Sequence, residues 1–531
     1  MVPRSTLHDT ADAKTLGSSK LLKLCVLLLA VHGALRLLLI FGFPIMYKEA
    51  YFWEWSRFLS AGYLEHPPLV AWIIATFQTV FPERSNFAIR GAALLMGAGS
   101  LWLIYRLALL LFQDRDIALR SLVIALSLPI LDMVGVMMIP DSPLLFFHLL
   151  TLYFFAMAVN GLKSGTWVLF GLAMGMALLS KLMAVPALVG FALFLILSPS
   201  HRQWLRRKEP YLALLVAGLL FSPFLYWNAQ QEWATFRLQL WDRHSYGFSL
   251  KNIGEFFFEQ LTDTMFFMAV PVLGCLLVRS NKLREEWRWA YLFLKSQSLT
   301  MFLFFLLAGT VTDSHPHWTV LGYPTAAIAL AALCSLRPPH LLTRGLGWWI
   351  GFSQVAMALI MTAAVVALPL LSRPVPERLG SFLGRGLAKA KRQFLGWSHL
   401  AGEIEATLAK GSSSEAPRIF TYGYRAASML SLFSDGLPVV NIHAYWERSK
   451  RVGDAQWLYL PVEDLDGQGG ILVTEKRWMT QEILLRIFDE VEELGAIEQR
   501  YGEDVIERFS VFRVEELNAR RILKAYHQRR E

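Results

Sequence analysis

Apolar stretches long enough to cross a bilayer recur along the first two-thirds of the chain, and short polar loops separate them. Eleven spans are predicted, at about 21–43, 86–112, 117–138, 142–160, 166–180, 184–198, 211–228, 262–278, 289–309, 316–335 and 347–371. The loops alternate in chemistry. One set is basic: Arg4, Lys14, Lys20 and Lys23; Arg115 and Arg120; Lys163; Arg202, Arg206, Arg207 and Lys208; Arg279, Lys282, Arg284 and Arg288; Arg337 and Arg344. Basic loops stay on the cytoplasmic side, so the N-terminus is expected inside and everything after residue 372 outside.

The opposite face collects the unusual motifs: KEAYFWEW (48–55), YLEHPP (63–68), PDSP (140–143), SK (180–181), WN (227–228) and SHPHW (314–318). Residues 46–85 form a loop whose YFWEWSRFL and PPLVAWIIATF portions read as amphipathic helices lying in the interface, where Trp and Tyr prefer to sit. Beyond about 375 the pattern turns soluble. GSFLGRGLAKAKRQF is a basic amphipathic stretch; RIFTYGY (418–424), GILVTEK (470–476) and ERFSVFRV (507–514) read as strands, and MTQEILLRIFDEVEEL (479–494) as a helix. The expected architecture is a mainly α, polytopic helical bundle with a small C-terminal α/β domain. Its parts are a cytoplasmic segment 1–20, a membrane domain 21–372 with the juxtamembrane loop 46–85, and an extracytoplasmic domain 373–531.

Composition agrees with the pattern: 531 residues, 55% hydrophobic, 18% charged, mean hydropathy +0.40. The net charge of +9 rests mostly on the basic loops, so it reports topology and anionic lipid rather than nucleic acid. Cys25, Cys275 and Cys334 all fall in apolar spans, which implies neither a disulfide framework nor a zinc pattern. The stretch 21–43 is long for a signal peptide and lacks an A-x-A site, so it reads as an uncleaved first span.

Each motif has a functional and a plain reading. Glu49, among aromatics, suits a base or a sugar-hydroxyl acceptor; it also suits a solvated acid on an interface helix. Glu65 and His66, locked by two prolines, can orient a proton or a phosphate, or simply make a polar turn. Asp141 is a candidate base and equally a helix cap. Lys181, a lone cation between apolar stretches, snorkels or binds an anion. Asn228, His317 and Trp318 mark further span ends, with His317 suited to donating to a phosphate or sugar. Arg237 and Arg243 are weaker phosphate candidates.

Taken in order, EAYFWEWSRFLSAGYLEHPPLVAWI (49–73), PDSPLLFF (140–147), GLAMGMALLSKLMAV (171–185), SPFLYWNAQQEWATFRLQ (222–239) and HWTVLGYP (317–324) resemble the bacterial family 39 membrane glycosyltransferases of the GT-C class. That class is similar to protein O-mannosyltransferases, the lipid A aminoarabinose transferase and rhizobial galacturonosyltransferases. The resemblance implies a glycosyltransferase of the bacterial inner membrane. Its donor would be an undecaprenyl-phosphate sugar and its acceptor lipid A, lipopolysaccharide or another envelope glycan at the periplasmic face. Neither cofactor nor metal is implied. Glu49 matches the Glu of the family's Asp-Glu pair, while Lys48 stands where the Asp would be. The resulting roles are Glu49, Asp141 and Glu65 as catalytic carboxylates, and Lys48, His66, Lys181, Asn228, His317 and Trp318 as substrate ligands. The alternative is a non-catalytic transporter or flippase of polyprenyl-linked glycans, which would carry midplane charges or broken helices in repeated halves.

Overall fold

The structure, a computed structural model, describes residues 5–82, 84–161, 165–242, 250–263, 268–311, 316–336, 341–371, 388, 391–409, 418–434, 436–442, 462–476 and 478–521. Helices follow the hydrophobic pattern: α1 (Ser5–Gly42), α2 (Tyr47–Arg57), α3 (Leu69–Gln78), α4 (Asn86–Phe112), α5 (Arg115–Leu126), α6 (Pro129–Val134), α7 (Asp141–Val159), α8 (Thr166–Ser180) and α9 (Val185–Leu197). They continue as α10 (Glu209–Gln230), α11 (Ala234–Arg237), α12 (Leu250–Asp263), α13 (Ala269–Gly274), α14 (Arg288–Gly309), α15 (Gly322–Leu333) and α16 (Leu341–Leu371). Among the described residues, five helices are long and apolar enough to cross a membrane: Ser19–Gly42 within α1, α4, α7, α10 and Glu285–Gly309. Shorter apolar helices at Thr166–Ser180, Leu182–Leu197, Gly322–Leu333 and Gly347–Ala363 fall on four more of the expected spans. Side-chain caps mark the starts of α4 and α5: Ser85 Oγ accepts from Ala88 N, and Asp114 Oδ1 from Asp116 N and Ile117 N.

Two expected spans are broken. The stretch 117–138 is α5 and α6 in succession, because Pro129 lacks the N–H that would continue the helix and instead opens a new one. Similarly, 262–278 holds the end of α12, then α13 and a short 3-10 turn at Cys275–Leu277.

The α5–α6 break is tied to the bundle by buried polar groups. Arg36 of α1 donates to Asp132 of α6 from Nε (2.9 Å) and Nη2 (2.5 Å). His32 lies between Asp132 (3.0 Å) and Gln354 of α16 (2.9 Å), whose own amide donates to Val123 O. Charges inside a bilayer persist only when so paired. Gly97 and Gly135 let α4 approach this break, since a Cβ on Gly97 would sit 2.6 Å from the Gly135 Cα.

The C-terminal part contains α17 (Trp397–Ala409), β1 (Arg418–Thr421), α18 (Tyr424–Phe433), β2 (Val439–Asn441), β3 (Gly470–Thr474), β4 (Phe488–Tyr501) and β5 (Asp504–Leu517). The sheet order is β2-β1-β3-β5-β4, parallel among the first three strands and antiparallel from β3 to β5 and β4. Alternation along the strands sends Ile419, Ile471 and Val511 to one apolar layer and Phe420, Leu472 and Phe512 to the other. The expected helix over 479–494 is therefore corrected. Only a turn at Gln481–Leu484 is helical, and β4 begins at Phe488. Phe488, Val491, Leu494 and Ile497 are spaced by three, which imitates a helix. Phe488 and Val491 nevertheless pair in one continuous register with Leu517 and Val514 of β5, and a bulge between Glu493 and Gly495 shifts the strand's phase beyond them. The expected strand 418–424 stops at Thr421, and Tyr424 starts α18 instead. Most of the basic stretch GSFLGRGLAKAKRQF lies outside the described residues.

One face of the sheet domain docks on the juxtamembrane helices. Ala50, Tyr51 and Trp53 of α2 share a single apolar cluster with Ala426, Met429 and Leu430 of α18 and with Phe509 and Val511 of β5. Within it Glu54 is buried and accepts from Ser428 Oγ (3.2 Å) and Ser431 Oγ (3.0 Å). Burial, only partly offset by the two serines and by Arg57, pushes its carboxyl from 4.5 up to about 7. The folded protein thus holds a proton that the unfolded chain releases, so this contribution to stability is complete below pH 4.5 and is lost as pH rises to 7. Melting of the detergent-solubilised protein should show a loss on the order of 2–3 kcal/mol across that window, and Glu54→Gln should remove this component. An identical pH profile in the variant would refute it.

Candidate active site

The link from α1 into α2 sets the frame. Glu49 is the third residue of α2, and its Oε2 reaches back to accept from Met46 N (3.1 Å), as an acid at that position commonly does. Arg90 of α4, 1% exposed, donates to both Glu49 oxygens, from Nε at 2.7 Å and from Nη2 at 2.6 Å. The same guanidinium donates to the carbonyls of Phe43 (2.6 Å) and Pro44 (2.8 Å) where α1 ends. Glu49 Oε1 also accepts from Met138 N (3.3 Å), three residues before Asp141. Glu49 is fully buried and both its oxygens are held by Arg90, unlike a solvated acid on an interface helix. It braces α1, α2, α4 and the segment leading into α7.

Asp141 opens α7, and Lys181 sits in extended backbone where α8 ends, before the short turn Leu182–Ala184. Lys181 Nζ donates to both Asp141 oxygens at 2.9 Å. Both side chains are buried, at 2% and 4% exposure. His317 and Lys48 act electrostatically on the same carboxylate. His317 is half-buried in the turn Pro316–Thr319, which Thr319 pins by donating to Gln260 of α12 (2.7 Å). Lys48, on α2, is exposed. Lys181 therefore contacts Asp141 directly, while His317 and Lys48, from two other parts of the sequence, lie within electrostatic range of the same acid.

Glu65 and His66 form the second pole, both half-buried. The Tyr63 N–H donates to His66 O (3.3 Å), closing a tight turn before the two prolines. Tyr63 stacks on Trp55 of α2 at 4.1 Å between ring centroids and donates to Trp55 O and Phe58 O. From the other side, Gln239 donates to Glu65 O (2.8 Å) and Thr235 to Tyr63 O (3.1 Å). The His66 ring lies 6.1 Å from Phe52. Gly62 is required here, since a Cβ would come within 2.5 Å of the Trp227 ring.

Two expected ligands, Asn228 and Trp318, are buried among their neighbours. Asn228 is fully buried, donates to Phe224 O and accepts from Thr235 N, which shapes the α10–α11 turn. Trp318, 9% exposed, packs against Phe305 of α14. Arg237 meets the exposed Glu232 at 3.6 Å, and Arg243 lies outside the described residues. The expected grouping omitted Arg90. A lone Arg inside an apolar span was the signal, because such a charge requires a partner. Among the described residues, no group of three or more His, Cys, Asp or Glu is placed to hold a metal ion.

With this geometry in place, comparison with known proteins is informative. The family model described as dolichyl-phosphate-mannose-protein mannosyltransferase matches residues 65–227, a range containing Glu65, His66, Arg90, Asp141 and Lys181. The lipid A galacturonosyltransferase RgtD of Rhizobium johnstonii is 25% identical over 343 residues, 64% of this chain and 70% of that protein. The undecaprenyl phosphate-alpha-4-amino-4-deoxy-L-arabinose arabinosyl transferase of Erwinia tasmaniensis is 30% identical over 204 residues, 36% of this chain and 35% of that one. The fold is that of ArnT from Cupriavidus metallidurans, solved bound to undecaprenyl phosphate: TM-score 0.63 at 16% identity, covering 92% of this chain and 97% of that one.

Proposed function

We propose that this multi-pass membrane protein of the GT-C fold is a glycosyltransferase that moves one sugar from an undecaprenyl-phosphate donor to lipid A or another envelope glycan. The supporting observation, among the described residues, is the basic surround of Asp141, with Lys181 bonded to it and Lys48 and His317 in electrostatic range. Basic groups so placed suit a phosphate monoester or diester arriving from the bilayer. RgtD and the Erwinia enzyme are named for transfer onto lipid A and for an undecaprenyl-phosphate sugar respectively, which agrees with that chemistry. The basic loops support a cytoplasmic N-terminus in the inner membrane, with the site and the sheet domain on the periplasmic side.

In this reading the bond from the anomeric carbon to the donor phosphate breaks, and its electron pair leaves with undecaprenyl phosphate. The acceptor hydroxyl oxygen bonds to the anomeric carbon through an oxocarbenium-like state. Glu65 takes the hydroxyl proton. Lys181, Lys48, His317 and His66 stabilise the departing phosphate. Asp141 holds the Lys181 ammonium at the site by accepting on both oxygens. Glu49, buried against Arg90, carries no proton in the reaction but sets where α7 begins.

Undecaprenyl phosphate binding tests the phosphate subsite. Lys181→Ala should weaken it about tenfold or more, a loss of the order seen for a hydrogen bond to a charged group, while Lys181→Arg should retain part through charge. Native affinity in the Ala variant would reduce Lys181 to a partner of Asp141.

A further inference from the structure

The sheet domain contributes to more than packing where it meets α2. Glu54, near the end of that helix, is gripped by Ser428 and Ser431, so α18 is fixed along α2. At the other end α18 begins with Tyr424, directly after Gly423, whose φ of +100° turns the chain from β1 into the helix. The Tyr424 ring lies 5.5 Å from Tyr47 and 5.8 Å from Tyr51, centroid to centroid, and Tyr424 is hydrogen-bonded to Tyr47. Glu65 lies within electrostatic reach of the Tyr424 hydroxyl. Tyr424 nevertheless keeps 42% of its surface exposed. Tyr47 and Lys48 both lie in the first turn of α2, so this aromatic group shares a helix end with one of the basic residues.

We infer that Tyr424 and Tyr47, backed by the buried Tyr51, form the acceptor-binding wall of the site, taking a pyranose ring of a glycolipid acceptor against the exposed Tyr424 ring and presenting a hydroxyl to Glu65. The inference rests on the glycosyltransfer reading above. The faces of a sugar ring are lined with C–H groups that pack on aromatic rings, and tyrosine adds a hydroxyl handle with little conformational freedom to lose. The donor's phosphate belongs with Lys181 and Lys48, and its polyprenyl tail belongs in the bilayer. The wall lies beside the base instead, on the side covered by the sheet domain, where a second substrate must be oriented. Tyr424 is thereby a specificity-determining residue supplied from about 375 residues beyond the helix it meets.

The test uses the full-length enzyme in proteoliposomes containing undecaprenyl-phosphate sugars extracted from bacterial membranes, with purified lipid A as acceptor. Tyr424→Ala is expected to raise the apparent KM for lipid A about 5–20-fold, to keep kcat within about threefold, and to leave undecaprenyl phosphate affinity unchanged. Tyr424→Phe keeps the ring and should keep the native KM. Tyr424→Leu keeps apolar bulk for docking on α2 and should reproduce the Ala effect, which covers a failure of the Ala variant to fold. A native KM in the Ala or Leu variant overturns the inference, as does weakened undecaprenyl phosphate binding or an equal loss in the Phe variant. Absence of any transfer by the unaltered enzyme overturns the glycosyltransfer reading and the inference with it; transfer with an unchanged KM in the variants overturns the inference alone.

Discussion

Glu65→Gln should lower turnover by about 10²–10⁴-fold while undecaprenyl phosphate still binds, because the change keeps the side chain's shape and removes its ability to take a proton. The loop around it should survive. Its anchors are the Tyr63–Trp55 stack and the backbone carbonyls held by Gln239 and Thr235, none of which uses the Glu65 carboxylate. A KM increase alone, with kcat preserved, would make Glu65 a binding group and return the question of the base to Asp141. Steady-state transfer at saturating acceptor distinguishes the two.

Glu49→Gln should act differently, by unfolding the enzyme rather than by slowing it. The substitution leaves the Arg90 guanidinium buried at 1% exposure with its counter-charge gone. Breaking one side of such a pair costs about 3–5 kcal/mol. The melting temperature in detergent should drop sharply, and the folded fraction should carry near-native donor affinity. Replacing both partners by apolar residues should recover only part of the loss, since Arg90 also donates to the carbonyls that end α1. Native stability with turnover lost 10²-fold or more would restore Glu49 as a base.

These two carboxylates show what is legible in the sequence. The membrane pattern and the opposite-face motifs were readable from periodicity and charge. Asp141 and Lys181 pair across two segments, with His317 and Lys48 in electrostatic range of Asp141. Which acid is accessible was not readable. Glu49 and Glu65 have similar aromatic neighbours in sequence, and only the position of Arg90, 41 residues along the chain from Glu49, decides between them. The Arg36–Asp132–His32 network was missed for a related reason. Each member looks like a stray polar residue in an apolar stretch until α1 and α6 are packed together. In the sheet domain, the three-residue spacing of Phe488, Val491 and Leu494 imitates a helix although Phe488 and Val491 pair regularly with β5, and a bulge between Glu493 and Gly495 then shifts the strand's phase. Register defects of this kind belong to the partner strand as much as to the sequence. Tyr424 lay inside a stretch read as a strand, so its encounter with α2 depended on where β1 ends.

The cluster joining α2 to α18 and β5 also bears on the order of biosynthesis. Glu54 leaves the ribosome 374 residues before Ser428. At roughly 5–20 residues per second that interval is about 20–75 s, during which Tyr51, Trp53 and their neighbours lack their eventual cover. Phe509 and Val511, which complete the same cluster, emerge later still. Nascent α2 must therefore rest in the membrane interface or under a chaperone until the sheet domain has been made and has folded onto it. Nonsense alleles that remove β5 should consequently yield membrane-inserted protein that quality-control proteases recognise at an uncovered juxtamembrane helix, even with every apolar span intact.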